Sequence, residues 1–237
     1  MNDIVYLLGP GSTLGNMEIK NSLRSLELFC KDYRNVFVIG TKPHFLNENV
    51  IEIPYKDIYR NKARNIAAKI NRAAMDERVS ENFMVFNDDY FLLKEISAVN
   101  YPYYWKCDLK RSLELNIGEY EKHIKATLDL LQNSNHYTTN FDSHYPIIYN
   151  KETVKFLYQN LSWNIPFGYI FKSLYCNYLE ITGEYLQDCK ISHPYTINQL
   201  KQINAERHMF SIEDKAVNVH MSRYIKELYP NKSKFEL

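Results

Sequence analysis

The feature that most constrains this chain is a series of short apolar runs, each closed by residues that force a turn. Asn35-Val36-Phe37-Val38-Ile39 is a continuous run ending at Gly40, the form of a strand covered on both faces. Residues 3–8 are apolar and partly β-branched and stop at Gly9-Pro10-Gly11-Ser12; a shorter run, 50–53, stops at Pro54. Asn82-Phe83-Met84-Val85-Phe86 ends at Asn87-Asp88-Asp89, after which residues 90–93 resume as extended chain. Between these runs lie two helical patterns. Residues 17–33 repeat Ile19, Leu23, Leu26 and Phe29 at intervals of three or four, and 58–79 carry Ile66, Ala67, Ile70, Ala73 and Ala74, a small-residue face suited to close packing on a sheet. The order β-α-β-β-α-β predicts an α/β fold, a mainly parallel sheet flanked by helices, with its binding crevice at the carboxyl ends of the strands. Residues 9–12 and 87–89 both sit at such ends and are expected to face one site.

The second half is more helical. Helical spacing runs through 117–131, 151–160, 168–178 and 214–228, with short strands expected at 189–192 and 209–212. The junction near residue 95 is too apolar and too poor in Gly, Pro and Ser to be a tether, so residues 1–237 are read as one unit with two halves, 1–95 and 96–237. No apolar run approaches the roughly 20 residues that cross a bilayer. The start, Met1-Asn2-Asp3-Ile4-Val5-Tyr6, has no basic segment ahead of an apolar one, and Cys30, Cys107, Cys176 and Cys189 lack metal-site spacing. Both observations lead to the expectation of a cytoplasmic protein with reduced, mostly buried thiols. A formal net charge of +1 announces no polyanionic partner.

The strongest chemical signal is the delivery of Asp88 and Asp89 to the exit of an apolar strand that then turns apolar again. Acids carried toward an interior need a cationic partner, and Mn²⁺ or Mg²⁺ bridging one or two carboxylates to phosphate oxygens meets that need. The bland reading is a turn in which Asn and Asp satisfy backbone groups. Gly9, Gly11 and Ser12 form a loop open enough for a nucleotide to approach the backbone, or simply a tight strand-to-helix turn. His144 stands two residues before Pro146, where the chain is held extended, and its neutral-range titration suits proton transfer. Asp214 is a further candidate base or metal ligand, or the acidic start of a helix.

A strand, then Ala63-Arg64-Asn65 opening a helix, then a strand ending in Asn87-Asp88-Asp89 resembles the nucleotide-sugar half of GT-A fold glycosyltransferases. The resemblance implies a GT-A-like sheet with a more helical, acceptor-side C-terminal lobe: residues 1–95 would bind the nucleotide sugar and 96–237 the acceptor. It implies Asp89 as metal ligand, with Asn87 and Asp88 near the donor and Arg64 and Asn65 facing it. A narrower resemblance spans most of the chain. The stretch from Glu18 to Glu27, Asn35-Val36-Phe37-Val38-Ile39, Phe86-Asn87-Asp88-Asp89-Tyr90-Phe91, Asp142-Ser143-His144-Tyr145-Pro146, and Ile212-Glu213-Asp214 with the closing segment 228–236 follow in the order seen in the Stealth family of capsular-polysaccharide sugar-phosphate transferases. The sequence departs from that family in having no acid in Leu7-Leu8-Gly9-Pro10-Gly11-Ser12, and in Glu213-Asp214 where Asn-Asp is usual.

The function expected is therefore a metal-dependent transferase moving a sugar or sugar-1-phosphate from a nucleotide-sugar donor to a hydroxyl. Asp89, and Asp214, would hold Mn²⁺ or Mg²⁺; Asp88, His144 or Asp214 would activate the acceptor. A surface glycan is the first acceptor class. A hydroxymethylated pyrimidine in viral DNA is the second, suggested by Lys106, Lys110, Arg111, Lys122 and Lys125 close to Tyr101, Tyr103, Tyr104 and Trp105. A non-catalytic domain that binds nucleotide sugar or glycan is the third reading.

Overall fold

The apolar runs pair as the alternation requires. In the computed structural model, which describes residues 1–10, 12, 15–163 and 165–237, β1 (Asn2–Leu7), β2 (Tyr33–Ile39), β3 (Val50–Ile53) and β4 (Asn82–Phe86) are parallel, and β5 (Ile147–Asn150) closes the sheet antiparallel to β4. The strand order is β5-β4-β1-β2-β3. The chain winds outward from β1 through β2 to β3, then returns to place β4 on the other side of β1. Strand order reverses there, and a crevice opens between the carboxyl ends of β1 and β4. The mainly parallel, helix-flanked α/β architecture expected from the sequence is the architecture found.

Alternate residues of the strands feed two cores. Ile4 and Tyr6, Val36 and Val38, Met84 and Phe86 meet Ile19, Leu23 and Leu26 of α1 (Met17–Phe29). Val5, Phe37, Ile39, Ile53, Phe83 and Val85 meet Ala67, Ile70, Ala73 and Ala74 of α2 (Lys62–Met75), whose alanines let the helix lie close to the sheet. Both helices end earlier than their patterns predict, at Phe29 and Met75, because the following residues turn extended at Cys30 and Asp76. β5 is unforeseen: Ile147-Ile148-Tyr149-Asn150 is too short to separate from the helix Lys151–Asn160 that follows directly. The helices Leu109–Leu115 and Ile197–Asn204 are likewise short, and were not anticipated.

A smaller sheet carries the chain beyond β4. Tyr90–Leu92 pairs with Met209–Ile212, which pairs with Lys190–Ile191. Its far side packs Phe91, Phe210 and Ile212 against Met221, Tyr224 and Ile225 of the helix Val219–Leu228. Among the described residues no helix is long and apolar enough to cross a membrane. The four cysteines are free thiols, three of them buried.

Candidate active site

The acidic turn is held from three sides. Tyr90 N–H donates to the Asn87 carbonyl to close it. The outgoing strand is pinned by two buried serines of α1: Ser22 donates to the Tyr90 carbonyl and shares a 3.0 Å hydrogen bond with the Tyr6 hydroxyl, while Ser25 accepts from Leu92 N–H at 3.0 Å. Ser211, across the small sheet, donates to Asp89 at 2.6 Å. Ser22 and Ser25 belong to the stretch that carried the Stealth resemblance, and their physical task is to grip the acid-bearing segment.

The two acids are not equally answered. Asp89 has Ser211. Asp88 has no ion pair among the described residues, and burial, followed by the charges of Asp89 and Glu18, pushes its carboxyl up to about 6. Glu18 is buried and accepts a 2.9 Å hydrogen bond from Ser12. Glu18, in the first turn of α1, thus adds a second negative charge near Asp88 beside that of Asp89.

Beside this turn lies a cavity of about 270 Å³. Leu7, Val85 and Asn87 come from the strand ends and Lys62, Ala63 and Ile66 from the start of α2. Tyr120, Asp142, His144 and Lys172 come from the second half. Asn87 and Tyr90, which flank the two acids, both line it. His144 Nδ1 lies 2.8 and 2.9 Å from the two carboxylate oxygens of Asp188, and His144 N–H donates to the same group at 3.1 Å. Lys106 Nζ approaches Asp188 at 3.6 Å. Burial works to raise the Asp188 carboxyl, but the hydrogen bond and charge of His144 and the charge of Lys106 overcome it and hold it well below the usual carboxylate range. Asp142 accepts from the Tyr120 hydroxyl at 2.7 Å; burial opposes its ionisation, and Lys106 and Lys172 more than compensate. Lys172 donates to the carbonyls of Ser143 and Tyr145, 2.8 Å each, and so fixes the backbone on either side of His144; burial lowers its pKa against the pull of Asp142.

Of the residues expected in the site, Asn87 and His144 share this cavity; Asp88 and Asp89 follow Asn87 in the chain and precede the lining residue Tyr90 but do not themselves line it. Arg64 is stacked on Tyr59, 4.1 Å from ring centre to guanidinium carbon, with its Nε buried and unpartnered. Gly168, at φ +65°, closes against it so tightly that a Cβ there would lie 2.9 Å from Arg64 Cγ. Asn65 does not line the cavity: its carboxamide accepts from Tyr59 N–H and donates to the Tyr59 carbonyl, tying down the loop ahead of α2. Gly9 is exposed with open space around it, Ser12 is bonded to Glu18 and to Asn16 N–H, and neither lines the cavity. Gly11 lies outside the described residues. Asp214 is exposed in the short 3₁₀ turn Asp214–Ala216 and lies outside the cavity lining. Among the described residues no three His, Cys, Asp or Glu side chains gather as a metal-binding group, so Asp214 completes no cage with Asp88 and Asp89. Asp88 and Asp89 alone suit a hard cation whose remaining positions are filled by phosphate oxygens and water, not one enclosed by protein.

Sequence reading misses Asp188 and Lys172 as site residues; it names Lys106 only as a contact for a DNA acceptor and Asp142 only within the segment around His144. A short strand is expected from Cys189, and an acid immediately before it, as Asp89 stands before Tyr90, is the available signal for Asp188.

No family model matches the chain, that of the Stealth family included, and no curated protein matches it. Among solved structures it is similar to the crystal structure of a glycosyltransferase involved in the glycosylation of the major capsid of PBCV-1, at 12% identity and a TM-score of 0.42, over 95% of this chain and 98% of that one. A likeness so distant carries no weight for activity, and the functional reading rests on the site itself.

Proposed function

We propose that the chain is a glycosyltransferase moving a sugar, or a sugar-1-phosphate, from a nucleotide-activated donor to a hydroxyl acceptor such as a glycan. The observation that carries this reading is the pair Asp88-Asp89 at the carboxyl end of β4, where strand order reverses, in a turn whose flanking residues Asn87 and Tyr90 line a cavity together with His144 and Lys62. An unanswered carboxyl in such a crevice calls for a cation. Asp89, with Asp88, would hold Mn²⁺ or Mg²⁺, and that ion, when bound, neutralises charge on the departing phosphates.

His144 is the acceptor-side base in this reading. The acceptor oxygen bonds to the anomeric carbon as its proton passes to His144 and the carbon–oxygen bond to the diphosphate breaks. In sugar-phosphate transfer the acceptor attacks phosphorus instead, and nucleoside monophosphate leaves. The same side chains serve both.

A DNA acceptor draws less support, because most of the basic and aromatic residues that suggested it have internal partners. Lys106 faces Asp188, Arg111 pairs with Glu114, Lys125 pairs with Asp129, and Lys122 lies over Phe167. Tyr101 is bonded to His208, Tyr103 to the Ile148 carbonyl, and Trp105 packs on Tyr185. Pure binding gives no role to a histidine held through one ring nitrogen.

Calorimetry tests the reading. Mn²⁺ is expected to strengthen binding of a nucleotide sugar from a panel of UDP-, GDP- and CMP-sugars, and Asp89→Ala to abolish the gain. Tight donor binding indifferent to chelator and to this substitution would overturn it.

A further inference from the structure

We propose that Asp188 is the positioning residue of His144, fixing the imidazole as the tautomer that carries its proton on Nδ1 and leaves Nε2 as the acceptor at the cavity. The proposal deepens the reading above, in which His144 takes the acceptor proton, but its observable belongs to the protein without substrate.

The assignment follows from what each group can do. A neutral imidazole has one donor and one acceptor nitrogen, and the hydrogen bond made by one decides the role of the other. Both Asp188 oxygens lie within 2.9 Å of Nδ1, and the carboxyl is held ionised, so it offers only acceptor lone pairs. Nδ1 must therefore donate. Both side-chain hydrogen bonds of His144 run through Nδ1, Nε2 has no hydrogen-bond partner among the described residues, and His144 is one of the residues lining the cavity. Asp188 also accepts from His144 N–H, so it fixes the backbone and the ring of the same residue. The chain adds two further restraints: Cys189 Sγ donates to the His144 carbonyl at 3.0 Å, and Lys172 holds the carbonyls of Ser143 and Tyr145. A histidine needed only for packing does not require restraint on its ring, its own N–H and carbonyl, and both neighbouring carbonyls.

Lys106 makes the arrangement durable. Its ammonium stands 3.6 Å from Asp188 and acts on Asp142 as well, so the negative charge beside His144 is compensated from behind and need not be met by a proton from the cavity side. An imidazole whose donor nitrogen is occupied by an ionised carboxylate stabilises the positive charge that forms when Nε2 takes a proton, while the carboxylate itself stays ionised.

The test is ¹⁵N-detected NMR of ring-labelled histidine in the full chain, at a pH where His144 is neutral, with the resonance assigned by its loss in His144→Asn. The expected result is predominantly the Nδ1-protonated tautomer in the unmodified protein. In Asp188→Asn, whose amide can present N–H to Nδ1, the Nε2-protonated tautomer is expected instead, and Asp188→Glu should retain the original one. A predominantly Nε2-protonated or evenly mixed ring in the unmodified protein, or one doubly protonated up to pH 9, overturns the proposal. So does an unchanged tautomer in a folded Asp188→Asn. The unmodified protein answers the question even if that variant does not fold. Failure of nucleotide sugars to bind would instead overturn the transferase reading and leave the tautomer result standing. Where turnover is measurable, Asp188→Asn should lower it by about 10²–10⁴ with donor affinity retained.

Discussion

The two ends of the same sheet treat acids in opposite ways. At the amino end, Asp3 is fully buried and fully answered: Arg34 donates to its two oxygens at 3.0 and 2.6 Å, and the backbone N–H groups of Asn35 and Ser80 donate at 2.9 and 2.7 Å. One carboxylate thus ties β1 to β2 and to the loop before β4. At the carboxyl end, Asp88 sits beside Asp89 and near Glu18 with no ion pair among the described residues, and its carboxyl is pushed up to about 6, by burial first and then by those two neighbours. An acid whose bonds are all made holds the fold together. An acid held beside like charges is a source of repulsion that the fold tolerates and does not need.

The largest effects should separate the two ends cleanly. At the carboxyl end, His144→Asn is expected to lower turnover by about 10²–10⁴ with donor affinity and thermal stability nearly unchanged. A stability loss large enough to account for the decline in turnover would break the comparison. At the amino end the pattern inverts. Asp3→Ala leaves two backbone donors and a guanidinium without their acceptor, and should cost about 3 kcal/mol in urea unfolding. Asp88→Asn, which removes a repulsion, should cost less than about 1 kcal/mol in the absence of metal. Equal losses for Asp3→Ala and Asp88→Asn would show that both acids are structural.

A smaller effect concerns the closing segment. Arg24 of α1 donates to both oxygens of Glu236 at 2.7 and 2.8 Å and to the Tyr229 carbonyl, and Asn47 donates to the carbonyls of Lys234 and Glu236. Burial opposes ionisation of Glu236, yet Arg24, Ser233 N–H and Lys20 bring it down to about 2. A carboxyl lowered on folding adds stability above its unfolded pKa of roughly 4.5, and that stability is lost as pH falls from there toward 2. Arg24→Ala should lower stability by about 2 kcal/mol at neutral pH and flatten this part of the profile. A profile unchanged by Arg24→Ala would remove the closing segment from the list of structural acids.

The smallest effect sharpens the same contrast with a histidine. His208 hydrogen-bonds Tyr101 at 2.8 Å and lies against the Tyr145 ring; burial, and then Lys94, lowers it to about 4. Between pH 6.5 and 4 the unfolded chain takes up a proton that the folded chain refuses, so stability falls as pH falls through that window. His208→Phe should remove that component in thermal melts across pH 4–7, leaving the Glu236 component below it. A melt profile over that range identical to the unmodified protein's would show that His208 is not the group refusing the proton.

The sequence by itself determined the strand–helix alternation, the mainly parallel sheet and the exit of Asn87-Asp88-Asp89 at its carboxyl end, because apolar period and turn chemistry are local properties that neighbouring residues settle between them. It also singled out His144, since a histidine two residues before a proline is a local signal. What His144 touches was decided only in three dimensions: Asp188 lies 44 residues away, and nothing near either residue announces the other. Arg24 and Glu236, separated by 212 positions, are the extreme case. Ser22 and Ser25 stood in plain view as small polar residues on the inner side of α1, yet their meaning appeared only once Tyr90 and Leu92 were brought against them. Asn65 shows the converse, a polar residue at a helix start that faces its own loop and not the crevice. Local pattern sets which element forms, whereas the partners of buried polar groups follow from satisfying every donor and acceptor at once, and that is a property of the packed chain.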